Sequence, residues 1–103
     1  MRLVIVTIPK DNAPVLGRQI VEEGLAACAN IIPAVRSIYT WKGAVEDDEE
    51  AMMFFKTTDG AMSALTERIL ALHPYEVPEI ISLEIKEDEG NPDYLAWIQA
   101  CMK

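Results

Sequence analysis

The sequence has few of the residues from which catalytic and metal sites are usually built. Its 103 residues include one histidine and two cysteines, and its five glycines form no phosphate-binding loop or nucleophile motif. A closed zinc site usually takes four cysteine or histidine ligands, and a single chain of this composition cannot supply them. We therefore expect a protein that is not an enzyme and that requires no cofactor, although copper or another divalent cation can still bind between chains.

Positive charge is also scarce. Nine Lys and Arg residues stand against seventeen Asp and Glu residues, for a net charge of −8. The basic residues form no cluster, and clustered basic residues are what bind phosphate backbones and anionic membrane surfaces. The longest early apolar run, Leu3 to Val6, is too short for a membrane span or a signal-peptide core. We expect a mature, cytoplasmic protein with no nucleic-acid or membrane partner.

Strand-like and helix-like segments follow one another along the whole chain, which indicates a single domain over residues 1–103. A continuous β-branched run at 2–8 is typical of a central strand. Side chains after Pro33 alternate between two faces, which predicts a strand. Lys42-Gly43 predicts a tight reversal of the chain. The other predicted elements are strands at 27–41, 44–57 and 77–86, and helices at 13–23, from about 59 to His73, and from Asn91-Pro92 onward.

This element order predicts an α+β fold. Right-handed crossovers turn the order β-α-β-β-α-β into a ferredoxin-like sandwich of one antiparallel sheet and two helices, here with an extra C-terminal helix. We expect Asp11 and Asn12 to cap the first helix, and Thr57, Thr58 or Asp59 to cap the second. Pro33 has no N–H for a ladder, so its strand is expected at a sheet edge or with a bulge.

The length of the hairpin predicts an oligomer. A strand of about 14 residues at ~3.3 Å per residue is ~46 Å long, whereas a compact domain of this size is ~33 Å across. A projecting ribbon with Tyr39 and Trp41 needs cover, so we expect a homo-oligomer with both aromatics at its interface. Trp41→Ala, or a proline within 51–55, should then weaken assembly more than the protomer. The alternative is that a bulge at Pro33 folds the ribbon back.

The only histidine lies in a stiff turn. His73 is followed by Pro74, Tyr75 and Glu76, which places an imidazole, a phenol and a carboxylate close together. We interpret His73 and Glu76 as candidate metal ligands. The alternative is a rigid helix-to-strand connection in which His73 caps helix carbonyls.

Aromatic residues at turns and ends predict a second kind of site. A small-molecule cleft between subunits would be lined by Trp41, Lys56, Tyr75 and Trp97, together with His73 and Glu76. Alternatively, the aromatic residues pack across an interface and fix the last helix to the sheet.

Three further expectations concern single side chains and one charge run. Lys56 follows an apolar run, so we expect a carboxylate partner such as Glu76. Cys28 and Cys101 are expected to be small core residues. The acidic run from Glu46 to Glu50 is expected to be a solvated face that discourages strand pairing. The alternative is that hard cations associate weakly with these carboxylates.

These segments resemble the CutA family of divalent-ion tolerance proteins. The resemblance rests on six sequence blocks in one order, namely VTIP at 6–9, LAACANIIP at 25–33, SIYTWKG at 37–43, FKTT at 55–58, HPYEVPE at 73–79 and NPDYLAW at 91–97.

The resemblance implies a single CutA-like domain, a ferredoxin-like fold, a cytoplasmic homotrimer and a role in the response to metal ions, with copper binding in some members. At the positions of the family's proposed copper ligands this sequence has Val6, Leu72 and His73, of which only His73 can bind a metal. The trimer is also similar to the nitrogen-regulatory PII proteins. The alternative function is therefore a PII-like small-molecule sensor, or a scaffold, with a ligand or partner at intersubunit clefts.

Overall fold

A computed structural model describes all residues from 1 to 103, and its elements follow the predicted order. Short 3₁₀ turns at Lys10–Asn12 and Asp59–Ala61 lead into the first two helices. The elements are β1 (Arg2–Ile8), α1 (Ala13–Glu22), β2 (Cys28–Trp41), β3 (Ala44–Thr57), α2 (Met62–Leu72), β4 (Ile80–Glu84) and α3 (Pro92–Cys101). No helix has both the length and the apolar content needed to cross a bilayer.

The four strands form one antiparallel sheet in the order β2-β3-β1-β4. The two central strands, β1 and β3, are each paired on both sides, whereas β2 and β4 are edges. This is the predicted α+β ferredoxin-like arrangement of two βαβ halves, and α3 is the additional C-terminal helix. The continuous apolar run of β1 is explained by its central position.

One face of the sheet carries the hydrophobic core. Val4, Val6 and Ile8 of β1 lie opposite Phe55, Met53 and Ala51 of β3, and all six are fully buried. Both helices cover this face through apolar positions at helical spacing. The helix residues in the core include Leu16, Ile20, Leu65 and Ile69.

The opposite face of the sheet has much less cover, and we call it the open face. Residues directly opposite each other in a ladder share a face, so the β1–β3 and β1–β4 registers assign its members. Ile81 and Leu83 on it are more than half exposed. Its apolar members from β1, β3 and β4 are Leu3, Ile5, Met52, Phe54, Ile81 and Leu83.

A bulge in β2 determines which side chains of the hairpin share the open face. Ile32 lies opposite Met52 and Val35 lies opposite Glu50, so β2 contains one more residue than β3 in this interval. The extra residue shifts the alternation and places Tyr39 on the same face as Glu50. The predicted edge position and bulge at Pro33 are both confirmed. The bulge does not shorten the hairpin enough to make the domain round, because the molecule measures 45 × 26 × 22 Å.

Three expectations about element ends need correction. Neither α1 nor α2 has a side-chain cap, because a 3₁₀ turn precedes each helix. The Asp59 carboxylate instead accepts a hydrogen bond from Arg2 Nε at 3.1 Å. β4 spans Ile80–Glu84 rather than 77–86, since it pairs only with β1. At α3, by contrast, Asn91 is a side-chain cap, because its Oδ1 accepts a hydrogen bond from the backbone N–H of Asp93.

The expected effect of a proline within 51–55 is also revised. β3 forms ladders with both β1 and β2 inside one chain, and Ala51, Met53 and Phe55 are fully buried. A proline there removes a ladder hydrogen bond from a central strand. It would therefore disrupt the protomer itself rather than act mainly on assembly.

Candidate functional site

A cavity of about 750 Å³ lies between the β2–β3 hairpin and the segment that joins α2 to β4. We call it the hairpin cavity. Residues from β2 and β3 form one side, and residues 74–79 form the other. Its aromatic and acidic lining residues are Tyr39, Trp41, Tyr75, Glu50, Glu76 and Glu79.

The hairpin turn fixes the position of the cavity's aromatic residues. Lys42 and Gly43 both have positive φ, at 50° and 81°. Two central residues of this kind are typical of a two-residue type I′ turn, whose twist matches that of antiparallel strands. The turn sets the register in which Trp41 faces Ala44 and Tyr39 faces Glu46.

Two tyrosine hydroxyls are hydrogen-bonded to carboxylates at the cavity. Tyr75 Oη donates to Glu50 Oε2 at 2.8 Å, and Tyr39 Oη donates to Asp48 Oδ2 at 2.8 Å. Burial and then the Glu50 contact raise the pKa of Tyr75, and the hydrogen bond to Asp48 raises the pKa of Tyr39 to about 12. Both phenols therefore stay protonated and act as donors at neutral pH.

Glu50 is a buried carboxylate without a cationic partner. It is 4% exposed, and its one hydrogen bond comes from Tyr75. The nearby Arg36 does not neutralise it, because the Arg36 guanidinium makes two hydrogen bonds to Asp47. Desolvation, followed by the negative charge of Glu50, raises the pKa of Glu79. The cavity therefore holds uncompensated negative charge, which makes it attractive to a cation.

The raised pKa of Glu79 gives a pH-dependent prediction. Folding disfavours the ionised form of the Glu79 side chain. The contribution of Glu79 to stability is therefore fully present below its ordinary pKa of 4.5. It is lost as the pH rises through the raised pKa that Glu79 has in the folded chain. Glu79→Gln should therefore raise the melting temperature near neutral pH and have little effect near pH ~4. Thermal unfolding at both pH values measures this. Glu67→Gln, at an exposed position on α2, is the matched control, and an equal shift in the control would contradict the explanation.

His73 is buried and both of its ring nitrogens are occupied. Nδ1 accepts a hydrogen bond from the backbone N–H of Tyr75 at 3.1 Å, so the proton is on Nε2, which donates to the carbonyl oxygen of Thr7 at 2.8 Å. The backbone N–H of His73 also donates to Ile69 at the end of α2. His73 thus connects the end of α2 to β1.

The chain by itself does not assemble the predicted metal ligands into a site. No three His, Cys, Asp or Glu residues are grouped as a metal ion requires. The Glu76 carboxylate is exposed and lies 3.6 Å from Lys42 Nζ. Metal binding at His73 would have to break the bond to Thr7 or the bond from Tyr75.

We expect His73→Ala to destabilise the chain even in the absence of metal. Two part-buried backbone groups, the Thr7 carbonyl and the Tyr75 N–H, lose their partner, and leaving them unsatisfied costs about 1–3 kcal/mol in all. Chemical denaturation in the presence of a chelator measures the loss. The adjacent substitution Pro74→Ala, at an exposed position, is a control for general effects on the turn. Wild-type stability of His73→Ala would contradict the structural role.

The predicted cleft residues fall into two groups. Trp41, Tyr75 and Glu76 all line the hairpin cavity. Lys56 and Trp97 lie elsewhere, beside Tyr94, whose ring centroid is 5.4 Å from that of Trp97. A single chain therefore does not bring the predicted cleft together as one surface.

The expected partner of Lys56 needs correction. Lys56 Nζ donates to Asn30 Oδ1 at 3.0 Å and to Tyr94 Oη at 3.3 Å, not to Glu76. Burial alone would lower the pKa of Lys56, but the contacts with Tyr94 and Cys28 outweigh burial and raise it. Cys28 itself is a half-buried free thiol rather than a core residue, whereas Cys101, also half-buried, packs against the small cluster of Met1, Ala27 and Ile98.

The burial of Glu50 and the place of Glu79 in the cavity lining were not predicted from the sequence. Glu50 was expected on a solvated face because it ends an acidic run, yet it is buried. The available signal was its position next to the apolar run that begins at Ala51, where the strand enters the folded body.

Comparison with known proteins identifies the family. Residues 2–101 match the family model described as CutA1 divalent ion tolerance protein. The chain belongs to the CutA1 family. This CutA1 chain is 47% identical to the divalent-cation tolerance protein CutA of Thermus thermophilus, over 94% of this chain and 93% of the relative.

Eukaryotic relatives are longer than this CutA1 chain. It is 50% identical to a CutA homolog of Xenopus laevis, covering 90% of this chain and 61% of that protein. It is 44% identical to human protein CutA, covering 91% of this chain and 52% of the relative. The chain thus spans little more than half of these vertebrate proteins.

Solved structures confirm the fold. The PII-like protein CutA from Nostoc in apo form superposes with a TM-score of 0.95 at 30% identity, over 100% of this chain and 98% of that one. The Thermus thermophilus protein gives a TM-score of 0.93 at 45% identity, with both chains fully covered.

Proposed function

We propose that this CutA1 chain forms a non-enzymatic, cytoplasmic homotrimer that takes part in tolerance of divalent cations. The family description and the names of its relatives support the cation-related role. The observation that carries the proposal is the buried Glu50 carboxylate, which forms no ion pair and lines the hairpin cavity together with Glu79. Carboxylate oxygens are suitable ligands for hard divalent cations, and waters or a neighbouring copy would complete the coordination.

The open face supports the trimer. It presents half-exposed apolar side chains such as Ile81 and Leu83, and the hairpin adds Tyr39 and Trp41. β2 and β4 also leave strand edges unpaired. Exposed edges and apolar faces of this kind are usually covered by another chain.

Copper binding through His73 and Glu76 is the narrower form of the proposal. His73 is the one residue with a ligating side chain among the three positions that match the family's proposed copper ligands. Its ring nitrogens are bonded within the chain, so copper would have to displace one of those bonds. The oxygen-rich hairpin cavity is the better-supported cation site.

A second candidate is a PII-like sensor or scaffold. The hairpin cavity, at about 750 Å³, lies within the ~300–1,000 Å³ range that is typical of small-molecule sites. The name of the Nostoc neighbour, a PII-like protein, supports the same alternative. In a trimer, a neighbouring chain would complete or close this cavity.

Light scattering and calorimetry test the proposal. We expect a particle with three times the 11.5 kDa chain mass, and heat on titration with Mn²⁺ or Cu²⁺. The double variant Glu50→Gln/Glu79→Gln should lose Mn²⁺ binding, whereas Glu67→Gln should keep it. If His73→Gln loses copper binding but keeps Mn²⁺ binding, copper is assigned to the site at His73 and Glu76. A monomer, or the absence of heat with both metals, would refute the proposed function.

A further inference from the structure

We propose that Lys56 of one chain forms an ion pair with the hairpin carboxylates of a second copy, Glu46 and Asp48. This inference rests on the proposed assembly of several copies, and it names the two ends of the open face that meet in that assembly. The contact would also join the two groups of predicted cleft residues, which a single chain keeps apart.

Lys56 is a cation without an anion in its own chain. Its ammonium group is half-buried, and the hydrogen bonds that it donates go to two neutral oxygens, Asn30 Oδ1 and Tyr94 Oη. Lys56 lies opposite Leu3 and therefore on the open face, where the strands carry no other Lys or Arg. A carboxylate from outside the chain would supply the charge-assisted bond that Lys56 lacks.

The open face continues along the hairpin as an acidic stripe, formed by Glu46 and Asp48. Tyr39 lies opposite Glu46 in the ladder, and Asp48 follows two residues later on β3, so the three side chains share one face. Asp48 accepts its hydrogen bond from the neutral Tyr39 hydroxyl. The hairpin's arginine, Arg36, lies on the opposite face and bonds to Asp47. The acidic stripe is therefore negative charge without a cation.

Lys56 and the acidic stripe cannot pair within one chain. Both lie on β3, which is a continuous strand from Ala44 to Thr57. At ~3.3 Å per residue, Lys56 and Asp48 are separated by ~26 Å along the strand. This separation is several times the reach of a lysine side chain, so any ion pair between them has to join two chains.

Opposite charges at the two ends of one face match a head-to-tail contact. In a heterologous contact each copy uses one end toward one neighbour and the other end toward the next, and three copies can close a ring. The exposed aromatic residues follow the same division, with Tyr39 and Trp41 at the hairpin end and Tyr94 and Trp97 beside Lys56. Charge complementarity of this kind fixes the register in which copies associate.

Zero-length cross-linking tests the contact directly. A carbodiimide activates a carboxylate, and a touching lysine amine then displaces the activating group to form an amide. We expect an amide between Lys56 and Glu46 or Asp48, found by mass spectrometry of digested protein. Isotope-labelled and unlabelled chains, unfolded together and refolded, should give cross-linked peptides that contain one of each, which shows that the amide joins two chains.

Charge reversal tests the energetic role of the pair. Lys56→Glu should weaken association about 10-fold or more in sedimentation at falling protein concentration, because like charges then meet. Glu46→Lys in the same chain should restore association. Lys56→Met measures how much of the loss comes from the bonds to Asn30 and Tyr94. Lys86→Glu, at an exposed position after β4, is the matched control and should associate normally.

The hairpin provides a second variant if Lys56→Glu does not fold. Glu46→Lys alone should weaken association, whereas Glu49→Lys, at an exposed position on the other face of the same strand, should not. These substitutions lie outside the core, so the protomer should tolerate both.

The outcomes separate this inference from the proposed function. A three-chain particle that forms no Lys56 amide, or that associates normally with Lys56→Glu, would refute the inference and leave the proposed trimer standing. Failure of Glu46→Lys to restore association would also refute the inference. A two-chain particle that contains the Lys56 amide would support the contact and refute the trimer.

Discussion

Phe55→Ala is expected to lower the free energy of unfolding by about 3–5 kcal/mol. Phe55 is fully buried in the core between the sheet and the helices, opposite Val4. Its removal leaves a cavity among side chains that are fixed by two flanking strands and cannot close around it. Because small domains are stable by only about 5–15 kcal/mol, we expect a large fall in the urea midpoint.

The neighbouring residue provides a matched control. Phe54 has the same side chain on the same strand, but it points to the open face and is half-buried. We expect Phe54→Ala to cost less within the protomer and to weaken association, so that unfolding depends more strongly on protein concentration. Urea denaturation at several concentrations separates the two effects. Equal, concentration-independent losses in both variants would contradict the assignment of faces.

Deletion of Ala34 is expected to disrupt the hairpin cavity and to abolish assembly. The deletion removes the extra residue of the β2 bulge, so the alternation beyond it reverses. Tyr39 and Trp41 would move to the face opposite Glu50, and the aromatic wall of the hairpin cavity would be lost. The core side chains of β1 and β3 keep their register, so the protomer should still fold.

Trp41 fluorescence and light scattering test this deletion. In a Trp97→Phe background, which leaves Trp41 as the one tryptophan, we expect a changed Trp41 emission and a reduced particle mass. Deletion of Asp88, in the exposed loop after β4, controls for the effect of shortening the chain. If the Ala34 deletion keeps the emission and mass of the parent, the bulge does not control the orientation of the hairpin.

The sequence predicted those parts of the fold that depend on local pattern. The bounds of β3, the turn at Lys42-Gly43 and the edge strand with Pro33 follow from alternation, a known turn signal and a missing N–H. The helix starts were less predictable. Short 3₁₀ turns take the place of side-chain caps at α1 and α2. The choice between a turn and a cap depends on the direction in which the preceding strand approaches the helix.

The candidate site was only partly predictable because its contacts link distant segments. Glu50 appears solvated in the acidic run, and only the pairing of β3 with β2 and the approach of Tyr75 bury it. The bond from His73 to the Thr7 carbonyl likewise joins the end of α2 to β1, 66 residues apart in the chain, and no local pattern indicates it. The turn after α2 was correctly singled out, but its role in closing a cavity depends on the folded chain.

The division of β3 at Ala51 has a consequence for how such proteins diversify. Residues from Ala51 to Thr57 alternate into the packed interior, whereas those from Ala44 to Glu49 extend beyond it. Substitutions in the outer segment can change what the protein recognises with little penalty to folding. Related sequences can thus acquire different chemical preferences on an unchanged scaffold, and overall similarity alone is a poor guide to what each of them binds.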